Sequence, residues 1–251
     1  MNILLTNDDG IDSEGIQKLA QALRASGSCR VTVVAPDSNR SGISHAVSLL
    51  SAPVKLLKQG EDTWSCSGYP VDCVIAALLG AVSVKPDMVL SGINRGENLG
   101  TDLIYSGTAA AARQASLAGI PAMALSLAGR NVFHWDMAAS WIVEHLKELS
   151  AFWEKNCFVN VNIPNSPGGP DGILTAWPAV KTYTDAITIM DAPDGSRWCF
   201  LEGEPELPTG QPDSDCDVVS RNFVSVTSVY NYPVGNLTSD EVRRGFPAVK
   251  K

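Results

Sequence analysis

Short apolar runs alternate with helical patterns through the first two-thirds of this 251-residue chain. The predicted strands are Asn2–Thr6, Val31–Ala35, Met88–Leu90, Pro121–Ser126 and Phe158–Ile163. The predicted helices are 16–23, 70–79, 107–117 and 135–149, each with apolar residues at helical spacing. Continuous apolar strands that alternate with helices are typical of a mainly parallel sheet with helices on both faces. We therefore expect a three-layer α/β sandwich.

The pattern changes after residue 163. Residues 164–217 are rich in proline and glycine and contain β-type runs such as 198–201, and an alternating run at 223–229 then predicts another strand. We expect one domain over 1–251. Its core is about 1–163 and 222–230, a β-rich excursion that contacts other subunits is about 164–221, and a tail is 231–251. The acidic run 213–217 is expected to be a polar loop, because Val218 stands where a calcium loop needs glycine.

Composition excludes several classes of protein. The net charge is −8 and lysine and arginine form no block, which argues against a nucleic-acid surface. No stretch approaches the roughly 20 apolar residues of a membrane span, and the N-terminus turns acidic too early for a secretion signal. A cytoplasmic protein with six reduced cysteines is expected, since there is no secretion signal, and the cysteines form no CxxC pair. With three histidines, the chemistry is expected to use oxygen groups.

Polar side chains follow three of the predicted strands. Asp8 and Asp9 come after the first, Ser41 lies in the segment after the second, and Asn94 lies in the segment 91–100 after the third. In an open parallel sheet these strand ends meet at one edge, where ligands bind. Adjacent carboxylates repel unless they are protonated or bridged by a cation, although Asn-Asp-Asp-Gly is also good turn chemistry. Carboxylate, hydroxyl and amide oxygens favour Mg²⁺, Mn²⁺ or Ca²⁺ over zinc.

A second set of residues suits an anion. Ser106, Gly107 and Thr108 open a predicted helix, where free backbone N–H groups and the positive end of the helix dipole can bind phosphate. The alternative is that this serine or threonine only caps the helix. The glycine-flanked segment 96–100 can bring Asn98 close to a ligand. A cation site beside an anion site is a layout for phosphate-ester hydrolysis.

Several segments together resemble the SurE family, the survival proteins that act as metal-dependent nucleoside monophosphate phosphatases. They are ILLTNDDG at 3–10, VVAPDSNRSG at 33–42, YPVDCV at 69–74, PDMVLSGINRGENLG at 86–100, YSGTAAAA at 105–112 and AGIPAMALS at 118–126. The resemblance implies a Rossmann-like sandwich whose C-terminal elements exchange between subunits. It implies metal ligands at Asp8, Asp9, Ser41 and Asn94, and phosphate contacts at Asn98 and Ser106–Thr108.

The expected function is hydrolysis of nucleoside 5′-monophosphates, and of 3′-monophosphates, by a homodimer or homotetramer with one Mg²⁺ or Mn²⁺ per subunit. Asp8, Asp9 and Asn98 are the expected catalytic residues, and His45 is a further candidate base near Ser41. The alternative is a nucleotide-binding or regulatory module of the same fold. This alternative is based on Tyr69 and Gln114, which differ from the residues usual at these positions in the family. A dinucleotide oxidoreductase is disfavoured, since no glycine fingerprint follows the first strand.

Overall fold

The computed structural model describes residues 1–203, 205–206 and 211–232. Its strands are β1 Asn2–Thr6, β2 Arg30–Pro36, β3 Leu56–Gly60, β4 Thr63–Cys66, β5 Met88–Arg95, β6 Ala122–Ala128, β7 Cys157–Pro164, β8 Ile173–Thr175, β9 Thr182–Tyr183, β10 Ala186–Asp191, β11 Arg197–Glu202, β12 Pro205–Glu206 and β13 Val224–Tyr230. Its helices are α1 Glu14–Ala25, α2 Pro70–Leu78, α3 Gly107–Leu117, α4 Trp135–Ser150 and α5 Asp215–Ser220, with a 3₁₀ turn at Gly100–Ile104.

Nine strands form one sheet in the order β3-β4-β2-β1-β5-β6-β7-β13-β8. The pairings are parallel except β3 with β4 and β13 with β7. The central strands β1, β5, β6 and β7 are buried on both faces, which explains their continuous apolar sequences. The predicted mainly parallel sheet is confirmed.

Two helices cover each face of this sheet. Helices α1 and α4 pack together over one face, where Leu19 and Ile142 belong to one apolar core. Helices α2 and α3 cover the other face, where Val74 and Ala112 belong to a second core. The alanines of α3 allow that helix to lie close against the strands. The three-layer α/β fold is therefore also confirmed.

The excursion contains the antiparallel hairpin β10–β11, in register from Ala186 opposite Glu202 to Asp191 opposite Arg197. This agrees with the β-type runs of its sequence. The hairpin β3–β4 was not predicted, because its strand β3 is mostly exposed and carries no apolar alternation. The division into core, excursion and tail stays a prediction, and tail residues 233–251 lie outside the described residues.

Two local predictions were wrong. Strand β5 does not end at Leu90 but runs to Arg95, because β6 continues beside it and pairs Asn94 with Ser126 after an irregularity. The acidic run is not a loop: Ser214 caps helix α5, which begins at Asp215. The serine hydroxyl accepts the Asp217 N–H, so the polar residues at the start of this run form a helix cap rather than a loop.

Among the residues that the structure describes, no helix combines the length and the apolar character that a membrane span requires.

Candidate active site

A cleft of about 280 Å³ opens at the carboxyl edge of the parallel strands. Five of the eight predicted site residues line it: Asp8, Ser41, Asn94, Asn98 and Ser106. The other three, Asp9, Gly107 and Thr108, adjoin these residues in the chain and do not line the cleft themselves. Residues that are far apart in sequence thus meet where the strand ends converge.

Asp8 is the buried acid of the cleft, with 3% of its surface exposed. One carboxylate oxygen accepts the Thr108 N–H at 3.0 Å, and the other accepts the Thr108 hydroxyl in a short hydrogen bond. Burial raises the pKa of Asp8 to about 6. The hydroxyl of Thr108 opposes this rise in pKa, and the charge of Asp9 adds to it. A carboxylate in this position is therefore stabilised by added positive charge.

The first turn of α3 lies directly against Asp8. A β-carbon on Gly107 would lie 2.8 Å from the Asp8 Cβ, so only glycine permits this approach. Ser106 accepts the Ala109 N–H at 3.0 Å through its side chain and so caps the helix. The N–H groups of Ser106, Thr108 and Ala109 all have acceptors within the protein, so the serine cap leaves only the Gly107 N–H of this turn for an anion.

Asp9 is half-buried and accepts the backbone N–H of Arg95 at 2.9 Å. Burial raises the pKa of Asp9, while that hydrogen bond and the positive charge of Arg95 lower it. The contact joins the end of β1 to the end of β5. It therefore keeps the two carboxylates of residues 8 and 9 beside Asn94.

Asn94 and Ser41 supply neutral oxygens. The Asn94 amide nitrogen donates to the carbonyl of Gly96 at 2.9 Å, which leaves its amide oxygen available to a ligand. Ser41 is exposed, and its backbone N–H donates to the side chain of Asn39 at 2.7 Å. The loop after β2 is therefore held by its own turn, and Ser41 lines the cleft.

The donor set fits a hard cation. Asp8, Ser41 and Asn94 line the cleft and Asp9 adjoins Asp8 in the chain, and burial disfavours the charged form of the Asp8 carboxylate. Within the described ranges, no three histidine, cysteine, aspartate or glutamate side chains come together as a metal site. A transition-metal centre of thiolates or imidazoles is not formed by these residues, whereas oxygen ligands of mixed type suit Mg²⁺ or Mn²⁺.

Asn98 is held in place by a row of buried polar residues on strands β6 and β7. Its backbone N–H donates to Asn162 at 2.8 Å, and its carbonyl accepts the side-chain amides of Asn160 and Asn162. Its own side-chain nitrogen donates to the Ser126 hydroxyl at 2.8 Å. These strand residues fix the position of the 96–100 segment. Sequence reasoning missed them, because single asparagines inside apolar strands carry no motif.

The far wall of the cleft was not predicted either. Asp102, in the 3₁₀ turn, and Tyr183, in the excursion, both line the cleft. The Tyr183 hydroxyl donates to Asp102 in a short hydrogen bond. Asp102 closely follows the segment 91–100, which was predicted to lie at the site, so its position in the sequence was a weak indication of a role there. No sequence pattern indicated such a role for Tyr183.

Three residues singled out from the sequence lie away from the cleft. The ring of His45 contacts Gln114 at 3.1 Å and does not line the cleft, and burial lowers its pKa. Tyr69 lies under the guanidinium of Arg40 and is also outside the cleft lining. The departures at Tyr69 and Gln114 therefore do not alter the cleft wall.

Known proteins were compared with the chain. The family model described as "Survival protein SurE" matches residues 3–183. The "5'-nucleotidase SurE" of Acinetobacter baumannii (strain SDF) is 40% identical, over 91% of this chain and 93% of that protein. That of Synechococcus sp. (strain JA-3-3Ab) is 40% identical over 90% of each. The crystal structure of the SurE protein from Aquifex aeolicus superposes with a TM-score of 0.82 at 33% identity, over 98% of each chain. The chain belongs to the SurE family.

Proposed function

We propose that this protein is a divalent-metal-dependent phosphomonoesterase that hydrolyses nucleoside 5′-monophosphates, with 3′-monophosphates as further substrates. The relatives that it matches over nine-tenths of its length are named as 5′-nucleotidases. The observation that carries the proposal is the buried Asp8 carboxylate at the first turn of α3, beside Asp9, Ser41 and Asn94. The buried Asp8 carboxylate, which a cation would stabilise, therefore lies next to the N-terminus of α3, where an anion can bind.

Asp8, Asp9, Ser41 and Asn94 are the proposed metal ligands, and Mg²⁺ or Mn²⁺ is the proposed ion, one per subunit. When bound, such an ion polarises phosphoryl oxygens and neutralises the charge that develops on them. Asn94 suits this role because its amide nitrogen is already engaged with Gly96.

The other proposed roles belong to the chain itself. The turn Ser106–Thr108 binds the phosphate through the Gly107 N–H at the start of α3, and Asn98 contacts a phosphate oxygen. Asp8 or Asp9 orients the attacking water in addition to holding the cation. The buried row beneath Asn98 supports this role, because it preorganises the segment before substrate arrives.

A homodimer or homotetramer remains part of the proposal. The hairpin β10–β11 carries several large apolar side chains that are about half exposed in the single chain. They are Ile187, Ile189, Met190, Trp198, Phe200 and Leu201. Paired residues share a face, so both faces of this hairpin carry exposed apolar side chains, and such exposure marks an interaction surface. Subunit contacts through the excursion are therefore expected.

The test is phosphate release from a panel of nucleoside monophosphates and simple phosphate esters with Mg²⁺, Mn²⁺, Co²⁺ or Ca²⁺. We expect turnover that is abolished by EDTA and restored by Mg²⁺ or Mn²⁺. Release of no phosphate from any ester would overturn the proposal. Tight nucleotide binding without release would instead favour the binding module.

A further inference from the structure

A second cleft adjoins the first one. It has a volume of about 470 Å³, and its lining includes Glu97, Arg130 and Lys181. The two clefts share Asp102 and Tyr183, which stand at the boundary between them. A ligand whose phosphate lies beside Asp8 can therefore extend past Tyr183 into the second cleft. That volume is in the range of small-ligand sites.

Tyr183 is held in one orientation at this boundary. Asp102 accepts the Tyr183 hydroxyl on one carboxylate oxygen and the Lys181 ammonium on the other. The Lys181 ammonium also lies 5.6 Å from the centre of the Tyr183 ring. Lys181 is buried, whereas Tyr183 retains 39% of its surface exposed. The result is an exposed aromatic ring whose polar end is fixed by charged partners.

The segment that carries Tyr183 is itself attached to the phosphate side of the site. Buried Asp215, in α5, accepts the N–H groups of Gly100 at 2.7 Å and Ala179 at 2.9 Å. Gly100 has a positive φ of 54°, and a β-carbon there would lie 2.1 Å from the Ala179 carbonyl oxygen. Thr101 also exchanges hydrogen bonds with the backbone of Lys181. These contacts therefore hold the Tyr183 ring at a fixed distance from the turn Ser106–Thr108.

We infer that Tyr183 is the stacking platform for the base of the nucleotide, and that the second cleft holds the nucleoside leaving group. This inference rests on the proposed function, because it takes the phosphate to lie beside Asp8. A fixed, exposed ring suits a flat base, since base–aromatic stacking tolerates any base and needs no hydrogen-bond match. Tyr183 is thus a specificity residue rather than a catalytic one.

The test compares AMP with glycerol 3-phosphate, whose leaving group has no flat ring. In Tyr183→Leu we expect the ratio of kcat/KM for AMP to that for glycerol phosphate to fall about tenfold, the order expected for one lost stacking contact. The loss should appear mainly in KM for AMP. Tyr183→Phe keeps the ring and should lower the ratio only about two- to threefold, because Asp102 no longer fixes the ring. Tyr230→Leu is the matched control, because Tyr230 is equally exposed but pairs with Cys157 at the opposite edge of the sheet.

Calorimetric binding of adenosine separates this inference from the proposed function, because it needs no turnover. Weaker adenosine binding in Tyr183→Leu than in wild type supports the platform even if no ester is hydrolysed. An unchanged ratio in Tyr183→Leu would overturn it. So would equal losses in the leucine and phenylalanine variants, since the hydroxyl rather than the ring would then be responsible.

Discussion

The two walls of the cleft are held in different ways. The wall that carries Asp8 and Asn94 consists of strand ends, and apolar cores of the sandwich lie directly beneath it. The wall that carries Tyr183 belongs to the excursion, where β9, β10 and β11 are exposed along their length. It is attached through polar contacts to Asp215 and Thr101.

Under the proposed assignments, the chemistry and the recognition of the leaving group therefore have separate structural supports. The burial of many side chains stabilises the first wall, so a polar substitution there should change activity and leave the fold intact. The second wall depends on a few hydrogen bonds to a buried carboxylate, so a single substitution can loosen it. Each prediction below tests one side of that contrast.

The largest effect is expected for Asp8→Asn. It should lower kcat by roughly a thousandfold or more, because the cation loses a charged ligand while packing is unchanged. Steady-state kinetics at saturating Mg²⁺ or Mn²⁺ measures this loss, and circular dichroism checks the fold. Asp12→Asn, an exposed neighbour in the same loop, is the control. Near wild-type kcat in Asp8→Asn would remove this residue from the ligand set.

Asp215→Asn should lower the free energy of unfolding by about 2–4 kcal/mol. The carboxylate accepts N–H groups from Gly100, Ala179 and Cys216, and an amide nitrogen facing those donors cannot. Urea denaturation measures the loss, which should be accompanied by a higher KM for nucleotides. Asp213→Asn, exposed in the same acidic run, is the matched control. Equal denaturation midpoints for the two variants would show that this clamp is not what attaches the second wall.

The metal-free protein should lose stability as the pH rises from about 4 to 6. The pKa of Asp8 is raised from 3.8 to about 6 by burial, so in this range the folded state holds a proton that the unfolded chain releases. Stability from this group is therefore greatest below its unfolded pKa and decreases toward neutral pH. We expect a change of roughly 1–3 kcal/mol, measured by urea denaturation in EDTA. Asp8→Asn should remove this component, and the idea fails if both proteins show the same pH dependence.

Thr108→Val should lower kcat/KM by about tenfold. The variant loses the hydroxyl that donates to Asp8 and keeps the backbone N–H, and a hydrogen bond to a charged group contributes roughly 1.5–3 kcal/mol. Competitive inhibition by inorganic phosphate should weaken in parallel, and Thr108→Ser should restore both. A lower melting temperature with unchanged kinetics and phosphate inhibition would instead assign Thr108 to capping the helix.

Sequence reasoning predicted a residue's location best where the residue type and its place beside a strand or helix indicate one location in the fold. The turn at 106–108 was recognised because a serine before small residues starts a helix, and α3 begins at Gly107. Asp8 and Asn94 were recognised because polar residues that follow buried strands lie at a ligand-binding edge. It failed for Asp102, which was not predicted, and for Asp215, which was expected to lie in a polar loop. Their partners are residues 79 and 115 positions away in the chain.

The sequence by itself determined the three-layer sandwich and the convergence of Asp8, Ser41, Asn94 and Ser106 on one edge. Hydrophobic periodicity specifies strands and helices locally, and the parallel topology then brings the strand ends together. Only the tertiary structure decided that the excursion returns to the cleft, that Asp215 attaches it, and that Tyr183 lines the same cleft as Ser106. Those contacts depend on individual hydrogen bonds between distant segments, and such bonds leave no periodic pattern in a single sequence.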